Sequence, residues 1–223
     1  MIRPDTDYLS TINAHPGITA AFISRIPGVT VDTDKWGTLE RLKPFHDEQI
    51  RETGFAPGEL WLAEQVHGAD IAFVNEQDNT TPHLIGNVDG LVAPGGKRCL
   101  LGIYVADCAA VWLHDKKSGA IALLHSGKKG TEGKISQVAL TAMEKHFRTN
   151  PLDVEAVISP CIHPPHYETD ISSQILDQLL DAGLLPENIY DSGICTGSDT
   201  ETYYSYRVEK GKTGRMLALL SIS

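Results

Sequence analysis

Cysteine is scarce in this chain: Cys99, Cys108, Cys161 and Cys195 are spread over 223 residues. Four such scattered thiols do not make the disulfide frame of a small secreted domain, so free or metal-bound thiols are expected. Long apolar runs are also missing. Nowhere do about 18 apolar residues follow one another, and the N-terminal stretch MIRPDTDYLSTINAHPG has no apolar segment of the kind a secretory leader needs. The expectation is a cytoplasmic protein without a membrane partner. Positive charge is in deficit, with 19 Lys+Arg against 29 Asp+Glu and a net charge of −10. With no long basic run to offset it, that balance repels a phosphate backbone and argues against a nucleic-acid partner. There is no low-complexity segment, no linker rich in Pro, Gly or Ser, and no internal repeat. Residues 1–223 therefore read as one domain, a length that a single core can still serve.

What is present is a mixture of strand and helix patterns along the whole length. ITAAFISRI reads as a strand, and Thr38 to Thr53 as a helix that Pro44 splits or shifts and Gly54 stops. LWLAEQV is β-rich up to Val66, His67-Gly68 marks a bend or bulge, and ADIAFVNE resumes an extended pattern. A polar loop with Asn79 and Pro82 follows. DGLVA, CLLGIYVADCAAVWLH and GAIALLH are then apolar runs suited to a sheet core. From Thr131 to about Arg148, Ile135, Val138, Ala139, Ala142, Met143 and Phe147 recur at helical spacing. VEAVIS predicts a buried strand, Ile171 to Ala182 a second helix capped by Gly183, and GRMLALLSI a closing strand. The expected class is α/β, a single-domain mixed-sheet sandwich with flanking helices.

The loop Asp115-Lys116-Lys117-Ser118, flanked by His114 and Gly119, gives a geometric clue. If it is a four-residue hairpin loop, His114 faces Gly119, and counting back along both strands places Cys108 opposite His125. Opposed residues share a face with β-carbons about 5 Å apart, close enough for a thiolate and an imidazole to bind one metal ion. The same pair also permits a cysteine hydrolase in which Cys108 attacks and His125 takes the proton. After His125, Ser126-Gly127-Lys128-Lys129-Gly130 joins a strand to a helix; the glycines allow a tight turn, and the free amides of the helix N-terminus, helped by Lys128 and Lys129, could hold an anion such as phosphate. Asp107, beside the cysteine, reads equally as a general base or a turn residue.

QVHG (Gln65 to Gly68), DGLV (Asp89 to Val92), ADC (Ala106 to Cys108), HSGKKG (His125 to Gly130), SPCIHPPHYE around Cys161, CT at Cys195-Thr196, YYSYR and GR at Gly214-Arg215 occur in that order. Together they resemble the laccase-domain family, once labelled multicopper polyphenol oxidoreductase and later understood as zinc-dependent purine nucleoside phosphorylases. The match runs from about Leu60 to the C-terminus. The resemblance implies an α/β sandwich distantly related to toxin cysteine deamidases, with His67, Cys108 and His125 as zinc ligands. It further implies phosphorolysis of purine nucleosides including methylthioadenosine, deamination of adenosine, and nucleoside and phosphate as partners. Three protein ligands leave zinc a fourth position for water or substrate. Lys129, Gly127, Gln65 and Arg207 are the candidate substrate and phosphate contacts, and Arg215, Tyr167 and Glu168 also match.

Two departures matter. The usual HAGWRG is HSGKKG here, with Lys128 for Trp and Lys129 for Arg, which keeps charge but loses the bidentate fork and an aromatic face. A catalytically weakened metal-binding protein is therefore an alternative. SRIPG (Ser24 to Gly28) and TLERL (Thr38 to Leu42) also depart from the N-terminal pattern. His163 and His166, separated by two prolines, read as an exposed loop rather than a second metal site. Nine histidines without a His-x-His pair do not provide the dense imidazole set that several coppers require. A single copper in the zinc position is the alternative metal.

Overall fold

The structure is a computed structural model that describes residues 7–74 and 83–223. In chain order its elements are α1 (Ser10–Asn13), β1 (Ile18–Ile23), α2 (Lys35–Glu52), β2 (Leu60–Ala63), β3 (Ile71–Phe73), β4 (His83–Ile85), β5 (Gly90–Ala93), β6 (Cys99–Val105), β7 (Ala109–Asp115) and β8 (Ile121–Ser126). Then come α3 (Lys128–Glu132), α4 (Ile135–Phe147), β9 (Val154–Ile158), α5 (Ile171–Asp181), β10 (Ile189–Asp191) and β11 (Met216–Ile222). The strands form two mixed sheets, one ordered β1-β11-β6-β2-β4 and the other β10-β9-β7-β8-β5-β3.

Alternation along the strands determines the layers. Leu101, Ile103 and Val105 of β6 and Ala218 and Leu220 of β11 turn inward to meet Ala110 and Trp112 of β7, Leu123 of β8 and Val157 of β9. The intervening residues Leu100, Leu217 and Leu219 face Ile50 of α2, while Val111, Leu113, Ala122 and Ala156 face Ala139 and Met143 of α4 and Ile175 and Leu179 of α5. The result is an α/β sandwich with a helical layer on each side. Trp112 ties its two sheets together by donating its indole N–H to the Leu219 carbonyl across the core, at 2.8 Å.

Several boundaries differ from the sequence expectation for identifiable reasons. The helix expected at Thr38 begins at Lys35, where the Asp34 side chain accepts from the Trp36 amide, and it continues through Pro44 without a split. Its buried positions Thr38, Leu42, His46 and Ile50 form one stripe that holds it on the sheet. LWLAEQV leaves strand geometry after Ala63, because Gln65 and His67 both adopt positive φ. The helix expected from Thr131 is divided into α3 and α4 at Gly133 and Lys134, with Lys134 left-handed at φ 59°. A Cβ on Gly133 would lie 2.8 Å from that of Ala69, so the break lets α3 fold over the 68–69 segment. The long run CLLGIYVADCAAVWLH is two strands in different sheets, joined by a bend at residues 106–108. Asn75 and Glu76 of the extended ADIAFVNE stretch, and the loop with Asn79 and Pro82, lie outside the described residues.

The hairpin register is shifted relative to the sequence expectation. His114 faces Ile121 and Ala110 faces His125, so Cys108 does not oppose His125 directly. Asp115 closes the turn: its carboxylate accepts from the Lys117 and Ser118 amides and its own amide donates to Ala120. The loop is therefore residues 116–119, with Gly119 at φ 72° inside it. The displacement is two residues, an even number, so Cys108 and His125 still project from the same face.

Candidate functional site

At the end of β7 nearest the bend, ligand atoms of His67, Cys108 and His125 lie within 4.8 Å of one another. Each arrives by a different device. His125 is on β8 and buried, Cys108 is the last residue of the inter-sheet bend, and His67 sits on the loop after β2 with φ 63°. That loop is held by the Asp89 carboxylate, which accepts from the His67 amide at 2.9 Å and the Gly68 amide at 2.7 Å. Asp89 Oδ1 also lies 2.7 Å from His125 Nδ1. With Nδ1 donating to this carboxylate, Nε2 of His125 is free to meet a cation or Cys108.

Asp89, fully buried at the start of DGLV, is the site residue that reasoning from spacing missed. The only sequence signal for it was the motif itself. Burial pushes its carboxyl up, but the His125 imidazole and the Gly68 and His67 amides outweigh this and hold it below the usual value. Burial likewise raises the Cys108 thiol, yet the facing charge of His125 and hydrogen bonds with both imidazoles bring it down to about 6. His125 moves the opposite way, to about 9, because the Cys108 and Asp89 charges outweigh its burial. The two shifts run in opposite directions, each favouring the charged form of its own group.

The glycines of HSGKKG make room. A Cβ on Gly127 would stand 2.7 Å from Cys108 Sγ, and one on Gly130 would stand 2.8 Å from the Gly68 carbonyl. Gly127 also caps α3, its carbonyl accepting from the Thr131 amide and hydroxyl.

The cluster opens into a cleft of about 850 Å³ lined by Lys35, Lys128, Lys129, Arg207 and Arg215, with Tyr104, Tyr167, Tyr206 and Ile162 supplying apolar faces. In a chain of net charge −10 this is a local concentration of positive charge. Burial and the neighbouring Arg215 lower the Lys35 ammonium, against a smaller opposing effect of Glu64, and burial lowers the Arg215 guanidinium. Lys35 lies in the N-terminal part of the chain, upstream of the recognised motifs, which is why the sequence did not nominate it.

The remaining candidates have defined surroundings. Gln65 lines the cleft, but both ends of its amide are engaged by the Tyr104 backbone, at 2.6 and 3.0 Å. Asp107, at φ 77°, accepts from the Thr196 hydroxyl and the Arg207 amide, so both carboxylate oxygens pin cleft walls. Arg207 bonds Glu168 at 3.1 Å and lies over the Tyr167 ring, while Lys128 approaches the same Glu168 at 3.5 Å. Lys129 is exposed at the cleft and forms no ion pair among the described residues. His163 and His166 are half-buried rather than exposed, within hydrogen-bond distance of the thiols of Cys161 and Cys195 respectively. All four cysteines are free. No helix among the described residues is long and apolar enough to cross a membrane.

Comparison with known proteins gives these features a context. The family described as multi-copper polyphenol oxidoreductase laccase matches residues 45–174 and 166–223. The purine nucleoside phosphorylase YlmD of Geobacillus stearothermophilus is 30% identical over 200 residues, covering 74% of this chain and 73% of that protein. The Bacillus subtilis protein of the same name is 29% identical over 196 residues, covering 73% and 70%. Among solved structures, YlmD of Geobacillus stearothermophilus superposes with a TM-score of 0.81 at 24% identity, covering 93% of this chain and 92% of that one. The Bacillus licheniformis hypothetical protein YfiH gives 0.80 at 20% identity, covering 92% and 93%.

Proposed function

Because this chain belongs to the multi-copper polyphenol oxidoreductase laccase family, with relatives named purine nucleoside phosphorylase, we propose that it is a zinc-dependent purine nucleoside phosphorylase. The observation that carries the reading is the position of one cysteine sulfur and two imidazoles at the base of a cation-lined cleft. The donor set suits zinc: a sulfur with a lowered pKa, an imidazole whose second nitrogen is fixed by a carboxylate, and a glycine where a larger residue would crowd the sulfur. His67, Cys108 and His125 are the proposed ligands, and copper is the alternative metal in the same position. When bound, the ion would act as a Lewis acid with an open position for an oxygen of phosphate, water or substrate.

The chain's own residues supply the rest. Lys129, Lys35 and Arg215 offer positive charge for phosphate, with Arg207 and Lys128 held at the rim by Glu168. Tyr104, Tyr167 and Tyr206 offer faces for a purine ring. Asp107 keeps the Thr196 and Arg207 segments in place, acting by positioning, and the engaged amide of Gln65 holds the loop that carries His67. Methylthioadenosine cleavage requires the same phosphate and purine contacts. Adenosine deamination would be a separate step at a different atom, in which water adds at C6 of the purine and the amino group leaves as ammonia. In this reading residues 1–223 act as one domain on free nucleosides in the cytoplasm.

The test is incubation of purified protein with inosine, adenosine or methylthioadenosine, with and without phosphate. Phosphate-dependent release of free base, lost on chelation and regained with zinc, is the expected result. Failure to release base or convert adenosine to inosine across these substrates would count against the reading. A second reading, cysteine hydrolase, is favoured by one observation: Cys108, His125 and Asp89 form a nucleophile, base and orienting carboxylate in sequence. Hydrolytic activity that survives chelation and is abolished by alkylation would distinguish it.

A further inference from the structure

We propose that His15, His114 and Glu155 form a second divalent-cation site, of the zinc class, at the opposite end of β7. Their ligand atoms lie within 4.8 Å of one another. His114 and Glu155 are directly opposed on β7 and β9, so the sheet register itself places an imidazole beside a carboxylate. Both point into the space between the sheets and are 4% exposed.

His15 closes the group from the N-terminal turn after α1. Its Nε2 lies 3.2 Å from Glu155 Oε2, and its ring centroid is 4.6 Å from that of His114. That turn is firmly held. The Asn13 side chain bonds both the amide and carbonyl of Ala20, and the Ser223 amide donates to the Gly17 carbonyl.

The observation that calls for a ligand is a mismatch in hydrogen bonding. His114 Nδ1 and Glu155 Oε1 are buried without a hydrogen-bond partner among the described residues, 3.9 Å apart. A buried carboxylate oxygen facing an unsatisfied imidazole nitrogen is costly, and a cation between them would satisfy both. Ligands about 2.0–2.2 Å from one tetrahedral ion stand roughly 3.3–3.6 Å apart, so small side-chain adjustments bring the set to bonding geometry. Two imidazoles and a carboxylate suit zinc, cobalt or nickel better than calcium or magnesium. Cys108 immediately precedes β7 and His114 is the sixth residue of that strand, an extended span of roughly 20 Å, so the two clusters cannot share an ion. The distal ion would fasten the N-terminal turn to the second sheet.

The experiment uses full-length protein carrying His67→Ala and Cys108→Ala, which disable the cleft cluster. After chelation and dialysis against zinc, elemental analysis is expected to find one ion per chain, and zinc is expected to raise the melting temperature. Adding His15→Ala, a change at a partly exposed position, is expected to remove both the ion and the thermal shift. In the cobalt-loaded cleft-disabled protein, ligand-field bands should appear without a thiolate charge-transfer band. His15→Ala alone should leave nucleoside cleavage at the parent rate, so failure of this proposal is separable from failure of the phosphorylase reading. No bound zinc in the cleft-disabled protein, or zinc undiminished by His15→Ala, would overturn it.

Discussion

At one end of β7, Cys108 meets two imidazoles beneath an open, cation-lined cleft. At the other, His114 meets an imidazole and a carboxylate within the sandwich. Cys108, just before β7, keeps the alternation of His114 on that strand, so sheet alternation alone does not account for the difference. The cleft end is built by backbone that has left the sheets. Gln65, His67 and Asp107 all adopt positive φ there, a costly conformation for residues with side chains, and Asp89 offsets it by binding the loop amides. At the distal end, His114 and Glu155 remain within the ladder. Strained loops create the opening at one end, while regular pairing keeps the His114 group enclosed at the other.

The largest effect expected from separating the ends is at Cys108. In Cys108→Ala the cleft loses the sulfur donor of its cluster, and phosphate-dependent nucleoside cleavage should fall to background while the folded structure persists. The measurements are base release by chromatography and a circular dichroism melt. Retention of a substantial rate would show that the thiolate is dispensable and would remove the basis of the metal-dependent reading. The next effect is at Asp89, which fixes the His125 tautomer. Asp89→Asn should weaken zinc binding at the cleft about 10–100-fold, the range seen when such carboxylates are removed. Competition with a chromophoric chelator measures it, and an unchanged affinity would mean the tautomer is fixed by other contacts.

How much of this was visible in the sequence differs between the two ends. The cleft end was legible in part because the three residues that come together there, His67, Cys108 and His125, lie in short ordered motifs, QVHG, ADC and HSGKKG, and because strand parity puts Cys108 and His125 on one face. The exact pairing was not legible, since it depends on Asp115 closing the turn with its side chain rather than lying in the loop. The layers of the sandwich followed from strand and helix periodicity. The division of CLLGIYVADCAAVWLH between two sheets did not, because the hydrophobic pattern runs through a bend whose geometry is fixed by tertiary contacts to Asp107. Lys35 and the partnership of His15 with His114 and Glu155 join residues distant along the chain, and no local spacing encodes such contacts.

Thiol reactivity probes the electrostatics of the cleft end with a smaller effect. In chelated protein, Cys108 is brought down to about 6 whereas buried Cys99 is pushed up to about 11. Below about pH 6 the Cys108 thiolate is lost, and above it the thiolate predominates, so its alkylation rate should level off near neutral pH. At pH 7 it should exceed that of an ordinary cysteine by about three- to sixfold, since most of the gain in thiolate fraction is offset by the lower nucleophilicity of a low-pKa thiol. Zinc should protect it. Iodoacetamide labelling followed by peptide mass spectrometry measures the rates, and equal labelling with and without zinc would place the ion away from this sulfur.

The smallest expected effect concerns Lys129, which stands exposed at the cleft and forms no ion pair among the described residues. An arginine here would offer two parallel donors to a phosphate where lysine offers a single ammonium, and it would keep the charge. Lys129→Arg should therefore lower KM for phosphate by about threefold, within the range of one improved charge-assisted hydrogen bond, with kcat and KM for the nucleoside nearly unchanged. Steady-state rates at varied phosphate and saturating inosine give the answer. A change in kcat with KM for phosphate unaltered would locate Lys129 at the departing base instead. A wild-type enzyme already matched by the variant would mean that Lys35 and Arg215, deeper in the cleft, carry the phosphate.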